Sequence, residues 1–155
     1  MSRRNISKKR YPKADPIYNS FLVNLIISRV LKSGKKILAQ KIVHKAFDII
    51  QFKTNKNPLI VFESAIRKAS PLVEVKSRRV SGAMNQVPTE INGFRSTNLA
   101  LRWIIKHSKE KTGRTMAIKL ASEIIDSANG IGKTIKKKEE IHRMAEANKT
   151  FAYNK

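Results

Sequence analysis

The chain has 155 residues, the size of one ordinary domain, and 41% of them are hydrophobic, which is enough to build one core. Its 33 Lys and Arg residues oppose 11 Asp and Glu residues, so the formal net charge is +22. The sequence has no cysteine, which excludes disulfides and thiolate metal sites, and no apolar run approaches the roughly 20 residues of a membrane span. A protein of this charge repels itself when it folds, so the composition favours one that lies against nucleic acid.

The N-terminus predicts an extended basic arm over residues 1–14, followed by a first helix. Such an arm commonly becomes ordered on nucleic acid, and a solubilising tail is the alternative. The first helix is predicted to begin at Asp15-Pro16 and to end at Gly34, with apolar residues from Phe21 to Val30 at helical spacing. The cations of the arm are Arg3, Arg4, Lys8, Lys9 and Arg10.

Two further helices are predicted before the pattern changes. The second runs from about residue 35 to residue 52, and the third starts at Asn57-Pro58 and stops before Pro71. Lys35 and Lys36 lie at the junction before the second helix, where they either reach phosphate or face solvent. The expected apolar face of the second helix comprises Leu38, Ile42, Val43, Ala46, Ile49 and Ile50, and that of the third comprises Phe62, Ala65, Ile66 and Ala69.

Residues 72–91 predict a two-stranded β-hairpin, because apolar and polar residues alternate over 73–78 and Pro88 fits only an edge strand. Lys76 and Arg78 share one face and Arg79 lies on the other, so RNA could meet both faces; the alternative is a solvated strand. The uncharged tip suits either close contact with nucleotides or a plain turn. It comprises Ser81, Gly82, Ala83, Met84, Asn85, Gln86 and Val87.

Helical spacing returns after Asn92-Gly93. We expect a fourth helix that Gly113 ends, a fifth that Thr115 caps, and a sixth from about residue 134 to residue 148. Trp103 is expected in the core rather than stacked on a base. The sixth helix has few apolar residues and should pack thinly, its carboxylate pair Glu139-Glu140 serving as partners for nearby lysines. Residues 150–155 form a polar-aromatic tail.

The prediction is therefore a mostly α, single helical domain over residues 15–149, with six helices and a protruding hairpin between the third and the fourth. The three histidines are far apart in sequence and show no metal-binding spacing. We find no catalytic constellation, and we expect no cofactor, no metal, no membrane and no homo-oligomer. A DNA-compacting protein and an RNA-processing enzyme remain the competing hypotheses.

The chain resembles the bacterial-type family of small-subunit ribosomal protein number seven, over nearly its whole length. The segments that carry the resemblance are Asp15 to Tyr18, Gly34-Lys35-Lys36, Asn57-Pro58, Glu74 to Val80, Gly82-Ala83, Gln86-Val87-Pro88, Leu99 to Trp103 and, most specific, Lys136 to Lys149. The tip Ser81 to Asn85 and the end Phe151 to Lys155 differ from the usual family pattern.

The resemblance implies a non-enzymatic constituent of the small ribosomal subunit that binds the head (3′ major) domain of its ribosomal RNA and helps to nucleate head assembly. It implies that the hairpin tip lies near the exit site of transfer RNA and near the messenger exit path, with small-subunit proteins number eleven and number nine as neighbours. The residues it places on or near RNA are the five cations of the arm, Lys35, Lys36, Lys76, Arg78, Arg79, Arg95, Arg102, Arg114, Lys136, Lys137, Lys138, His142 and Arg143.

Two features favour a plastid ribosome over a bacterial cytoplasm. Ile, Lys and Asn are abundant, and all three are encoded by codons rich in adenine and thymine. The start Met1-Ser2-Arg3-Arg4 and the stretches 22–24 and 29–32 also look more like plastid-encoded members of the family.

Overall fold

The computed structural model describes residues 13–80 and 83–149, and within them it shows six helices and one antiparallel hairpin. The predicted fold class is confirmed, including the place of the hairpin between the third and fourth helices. The predicted arm, apart from residues 13 and 14, and the predicted tail lie outside the described residues. The elements are α1 (Phe21–Val30), α2 (Lys36–Thr54), α3 (Pro58–Ala69), β1 (Val73–Val80), β2 (Ala83–Glu90), α4 (Gly93–Glu110), α5 (Met116–Asn129) and α6 (Lys133–Ala147).

Helix α5 lies at the centre of the core, where it packs against α2, α3 and α4. Leu120 and Ile124 on its inner face are fully buried. Phe47 of α2 and Phe62 of α3 are also fully buried, with ring centroids 5.3 Å apart. Removing this apolar surface from water stabilises the helix assembly and leaves the charged faces of the helices outside.

Local capping rules correctly predicted the starts of two helices. The Asn57 side chain accepts a hydrogen bond from the Leu59 backbone N–H at 2.9 Å, with Pro58 in the first turn. The Thr115 side chain accepts one from the Ile118 backbone N–H at 3.4 Å. The αL conformation of Gly130, at φ 82°, ends α5.

The predicted limits of the first helix were wrong at both ends. Helix α1 begins at Phe21 and ends at Val30. The Asp15 carboxylate does accept backbone N–H groups, from Ile17 and Tyr18 at 3.2 Å each, but in a separate turn. The left-handed backbone conformation of Asn19, at φ 46°, separates this turn from the helix. Gly34 lies in the connection to α2 and does not cap α1.

The buried face of α2 also differs from the prediction. Leu38 is 54% exposed, whereas its neighbour Ala39 and the later Phe47 are buried. The sequence prediction chose the larger side chain at the start of the helix. The packing of α1 and α5 against α2 instead selects the set Ala39, Val43, Ala46, Phe47 and Ile50.

The two strands of the hairpin pair along their whole length, with Val73 opposite Glu90 and Val80 opposite Ala83. Strand β2 begins at Ala83, so most of the predicted tip lies on this strand, and Pro88 pairs opposite Val75 on an edge strand as predicted. Helix α6 packs against β1. The hairpin therefore leans on α6 at its base, which a two-stranded ribbon needs because it has little core of its own.

Three hydrogen bonds fix the base of the hairpin. The Ile91 backbone N–H donates to the Leu72 carbonyl at 3.2 Å, and the Ser96 hydroxyl donates to the Pro71 carbonyl at 2.6 Å. The Leu72 backbone N–H donates to the Nε2 atom of His142 at 3.1 Å. These bonds attach the base of the hairpin to both α4 and α6, so its direction from the domain is set.

Candidate nucleic-acid interface

The predicted cations of the hairpin differ in whether they pair with a carboxylate of the protein. The Glu74 carboxylate lies 2.9 Å from Nζ of Lys76 and 2.8 Å from Nη2 of Arg95. Burial raises the pKa of Glu74, but hydrogen bonds from Lys76 and Arg95 outweigh that effect and hold the pKa below its ordinary value. Lys76 and Arg95 lie at the base of the hairpin, where the Glu74 carboxylate partly neutralises the charge of both.

Arg78 and Arg79 lie farther along β1 and are both exposed. Neither has a carboxylate partner within the described residues. Arg78 shares its strand face with Lys76, and Arg79 lies on the opposite face, because side chains alternate along a strand. Each face of the hairpin thus presents one guanidinium that has no carboxylate partner among the described residues.

A line of four cations on α4 continues from this point. Arg102, Lys106 and Lys109 follow Arg95 by seven, eleven and fourteen residues, so at 100° per residue all four lie within about 60° of one another around the helix. At 1.5 Å per residue the line is about 21 Å long. All four side chains are exposed. We call this set (Arg95, Arg102, Lys106 and Lys109) the α4 stripe.

Arg29 of α1 lies across from the stripe and was not predicted as a site residue. Its Nη2 group donates a hydrogen bond to Oδ1 of Asn98 on α4. Burial, and then the charge of Arg102, lower the pKa of the Arg29 guanidinium. A surface cavity of about 410 Å³ lies between the two helices, lined by Arg29, Arg102, Ile105, Lys106 and Lys109.

The junction before α2 forms a second basic surface. Lys35 and Lys36 are exposed, and Lys35 occupies the N-cap position without a side-chain cap. A shallow cavity of about 530 Å³ lies beside them, where Ile37 and Leu38 are also exposed. The positive end of the α2 dipole adds to the two lysine charges, which is favourable for an anion.

The sequence model of the family described as Ribosomal protein S7p/S5e matches residues 2–149. The chain is 68% identical over 144 residues to "Small ribosomal subunit protein uS7c" of Trieres chinensis, covering 93% of this chain and 91% of that protein. It is 56% identical over 153 residues to "Small ribosomal subunit protein uS7" of Gloeothece citriformis, covering 99% and 98%. The chain belongs to the ribosomal protein S7 family.

Membership of the S7 family makes the chain a structural, non-enzymatic protein of the small ribosomal subunit, whose partners are ribosomal RNA and ribosomal proteins. A relative of the same name from Synechococcus elongatus is 50% identical over 153 residues. The family resemblance that the sequence motifs indicated is therefore confirmed.

The α6 cations are less available than the run Lys136 to Lys138 suggests. Lys137 pairs with Glu140 at 2.8 Å, which lowers the pKa of that carboxyl. Nζ of Lys138 donates to the Lys68 carbonyl at 2.7 Å. His142 accepts the Leu72 N–H, and burial, with Lys138, lowers its pKa. Lys136 and Arg143 are exposed and have no ion-pair partner in the described part of the chain.

A buried polar network connects α4, α5 and α6. The Thr134 hydroxyl donates to Oε1 of Glu123 at 2.6 Å and lies 3.2 Å from Nδ1 of His107. The Glu123 carboxylate also lies 2.9 Å from Nζ of Lys111. The threonine, histidine and carboxylate resemble a catalytic set in type, but Thr134 and Glu123 are fully buried and no substrate can reach them. The network is therefore structural, in keeping with the S7 family.

The remaining predicted residues fall into two groups. Arg114 is exposed before α5, and Met84, Asn85, Gln86 and Val87 lie on β2 with Met84 and Gln86 exposed. These four residues of the predicted tip therefore form part of strand β2. The residues outside the described part of the chain are Arg3, Arg4, Lys8, Lys9, Arg10, Ser81 and Gly82, while of Ala83 only the backbone is described.

No helix in residues 13–80 and 83–149 combines the length and apolar character that crossing a bilayer requires. The same residues contain no group of three or more His, Asp or Glu side chains that could hold a metal ion.

Proposed function

We propose that the chain binds the head (3′ major) domain of small-subunit ribosomal RNA directly and helps to nucleate its assembly. The observation that carries this proposal is the α4 stripe, which starts beside the hairpin at Arg95 and continues with exposed cations for about 21 Å. In the described part of the chain, Arg102, Lys106 and Lys109 have no carboxylate partner, so their charge is available to phosphates.

The rest of the RNA surface extends from the stripe. Arg78 and Arg79 on the hairpin offer planar forks for phosphate and flat faces for bases. Lys35 and Lys36 supply a separate contact at the start of α2, and Lys136 and Arg143 supply one on α6. The cations of the arm, and Lys137, Lys138, His142 and Arg114, complete the predicted set.

We also propose that the hairpin tip lies near the exit-site transfer RNA and the messenger exit path, with small-subunit proteins number eleven and number nine as neighbours. The attachment of the hairpin base to α4 and α6 supports this placement, because a ribbon of fixed direction can reach a fixed point on the subunit. The uncharged residues from Met84 to Val87 suit contact with another surface without strong repulsion or attraction.

A plastid ribosome is the proposed location. The relative of Trieres chinensis, at 68% identity, carries the designation uS7c, and the two relatives named uS7 are 56% and 50% identical. The abundance of Ile, Lys and Asn agrees with a gene from an AT-rich organelle genome.

The test is binding of the purified protein to a head-domain fragment of small-subunit ribosomal RNA over a salt series, with random duplex DNA as competitor. We expect binding that survives excess DNA at moderate salt, because a matched surface contributes more than charge. If binding to the RNA fragment and binding to duplex DNA weakened equally as the salt concentration rises, the result would contradict the proposal and favour a charge-driven, DNA-compacting activity.

Assembly and placement need their own measurements. Omitting the protein from a reconstitution of the head domain should leave that RNA open to chemical probing, and adding it back should protect it. Hydroxyl-radical cleavage from a probe attached at Gln86 should cut RNA beside the transfer RNA exit site. Cleavage confined to distant RNA would rule out the proposed placement of the tip.

A further inference from the structure

The cavity between α1 and α4 has a lining of one charge sign. The residues that line it are Ile105, which is buried, and the four cations Arg29, Arg102, Lys106 and Lys109. No acidic side chain of the described residues forms an ion pair with these cations; Oε2 of Glu110 lies 3.3 Å from Nζ of Lys133 instead. A cleft of about 410 Å³ that is lined by four cations without such partners favours an anion.

Arg29 is held in a costly position. Its Nη2 group is fixed by Asn98, and its Nε atom is buried and has no hydrogen-bond partner among the described residues. Arg102 is close enough on the facing helix to lower the pKa of Arg29 by repulsion, in addition to the effect of burial. Both arginines line one cleft, and no carboxylate of the described residues forms an ion pair with either of them, so their repulsion destabilises the free protein. An anion bound between them would reverse the sign of that effect.

We infer that Arg29 and Arg102 together clamp one phosphodiester group of the RNA backbone, and that Lys106 and Lys109 neutralise the phosphates that follow along α4. The inference rests on the proposed function and extends it to a residue, Arg29, that no sequence motif indicates. A guanidinium fork matches a phosphate in geometry. The cleft opens onto a stripe about 21 Å long, which suits an extended polyanion rather than an isolated ion.

The opposing explanation is that Arg29 serves only to hold Asn98, while Arg102 contributes to RNA binding only as one cation of the α4 stripe. The two explanations differ in Arg29 and in its coupling to Arg102. A clamp requires Arg29 to strengthen RNA binding, and it requires the contribution of Arg29 to overlap with that of Arg102. A purely structural Arg29 would leave RNA binding unchanged.

The experiment compares Arg29→Gln, Arg29→Lys, Arg102→Gln and the double Arg29→Gln/Arg102→Gln variant with wild type. Arg67→Gln is the matched control, since Arg67 is exposed on α3 outside the cleft. Each protein is measured for its thermal midpoint without RNA at low salt, and for its affinity for the head-domain RNA fragment. The affinity is measured over a range of salt concentrations, and the salt slope is the magnitude of the slope of log affinity against log salt concentration.

For Arg102→Gln we expect a thermal midpoint about 2 °C higher, since the repulsion is removed, and an RNA affinity about tenfold lower with a slope smaller by about one. The double variant should lose little more than the larger single loss, because both arginines hold the same phosphate. Arg29→Lys should keep the salt slope but lose affinity, because it keeps the charge without the fork.

The clamp is refuted if Arg29→Gln and Arg102→Gln bind RNA as Arg67→Gln does, or if their losses simply add. If Arg29→Gln fails to fold, Arg29→Lys decides the question by its loss of affinity at an unchanged salt slope, because Arg102 is expected to contact RNA through the α4 stripe in either case. Failure of the proposed function would look different: wild type would then show no preference for the RNA fragment over random duplex DNA. A preference that persists while the cleft variants match the control refutes the clamp alone.

Discussion

Helix α6 carries its lysines as neighbours, Lys136 to Lys138, whereas α4 spreads its cations over about four helical turns. The run on α6 is the denser in sequence, yet Lys137 and Lys138 have partners within the protein. The α4 stripe looks dispersed in sequence, yet helical geometry brings its members into one line. The number of available phosphate contacts thus depends on helical phase and on nearby acceptors, and cation density in the sequence is a poor guide to it.

The sharpest test of this comparison removes three charges from each helix. Replacing Arg102, Lys106 and Lys109 with Gln should reduce the salt slope of RNA binding by about three, since each free cation releases about one counterion. Replacing Lys136, Lys137 and Lys138 with Gln should reduce it by about one. Both variants have the same net charge, so equal changes in slope would show that only total charge matters.

The hairpin extends the comparison to a strand. Replacing Arg78 and Arg79 with Ala should reduce the salt slope by up to about two if both contact phosphate. The control replaces two exposed cations of the helical domain, Lys45 and Arg67, with Ala and should leave the slope nearly unchanged. A slope that Arg78 and Arg79 do not affect would remove them from the phosphate contacts.

Glu74 offers a test in the opposite direction. Glu74→Gln removes the carboxylate that partly neutralises Lys76 and Arg95, so RNA affinity should rise and the slope should increase by about one. The free energy of unfolding should fall by less than about 1 kcal/mol, because both cations are largely exposed. Glu139→Gln, which makes the same charge change at an exposed position on α6, should affect RNA binding much less.

The smallest expected effect concerns pH and the base of the hairpin. Nε2 of His142 accepts the Leu72 N–H only when the ring is neutral, and the pKa of His142 is lowered. A lowered folded pKa means that the unfolded chain takes up the proton first, so this stabilisation is present above about pH 6.5 and is lost as pH falls.

Wild type should therefore exceed His142→Phe by up to about 1 kcal/mol in free energy of unfolding at pH 7.5 and by much less at pH 5. Urea denaturation of both proteins at the two pH values measures this difference. Comparing the two proteins cancels the contribution of His107, whose pKa burial also lowers. An equal difference at both pH values would show that His142 acts through packing alone.

Features decided by neighbouring residues were predictable from the sequence. Asn57-Pro58 starts α3 and Thr115 caps α5 because capping depends on two or three residues. The alternation that places Lys76 and Arg78 on one face of β1 is equally local.

Features decided by tertiary packing were not predictable. Leu38 is apolar and correctly spaced, but no helix in the described part of the chain covers it. Arg29 lies beside the α4 stripe only because α1 packs against α4, and its partner Asn98 is 69 residues away in the chain. His142 meets Leu72 across 70 residues. Such pairings require the fold itself, since no local pattern distinguishes these residues from other surface residues.

The central position of α5 has a consequence for synthesis. Helices α2, α3 and α4 all pack on α5, yet the ribosome makes α5 after them. Until α5 has emerged, α2 and α3 lack the helix that each of them packs against most extensively. The core therefore closes late in translation, and the growing chain combines exposed apolar faces with a large excess of positive charge. The incomplete chain, rather than the finished protein, is the form that most needs protection by a chaperone or by early capture on RNA.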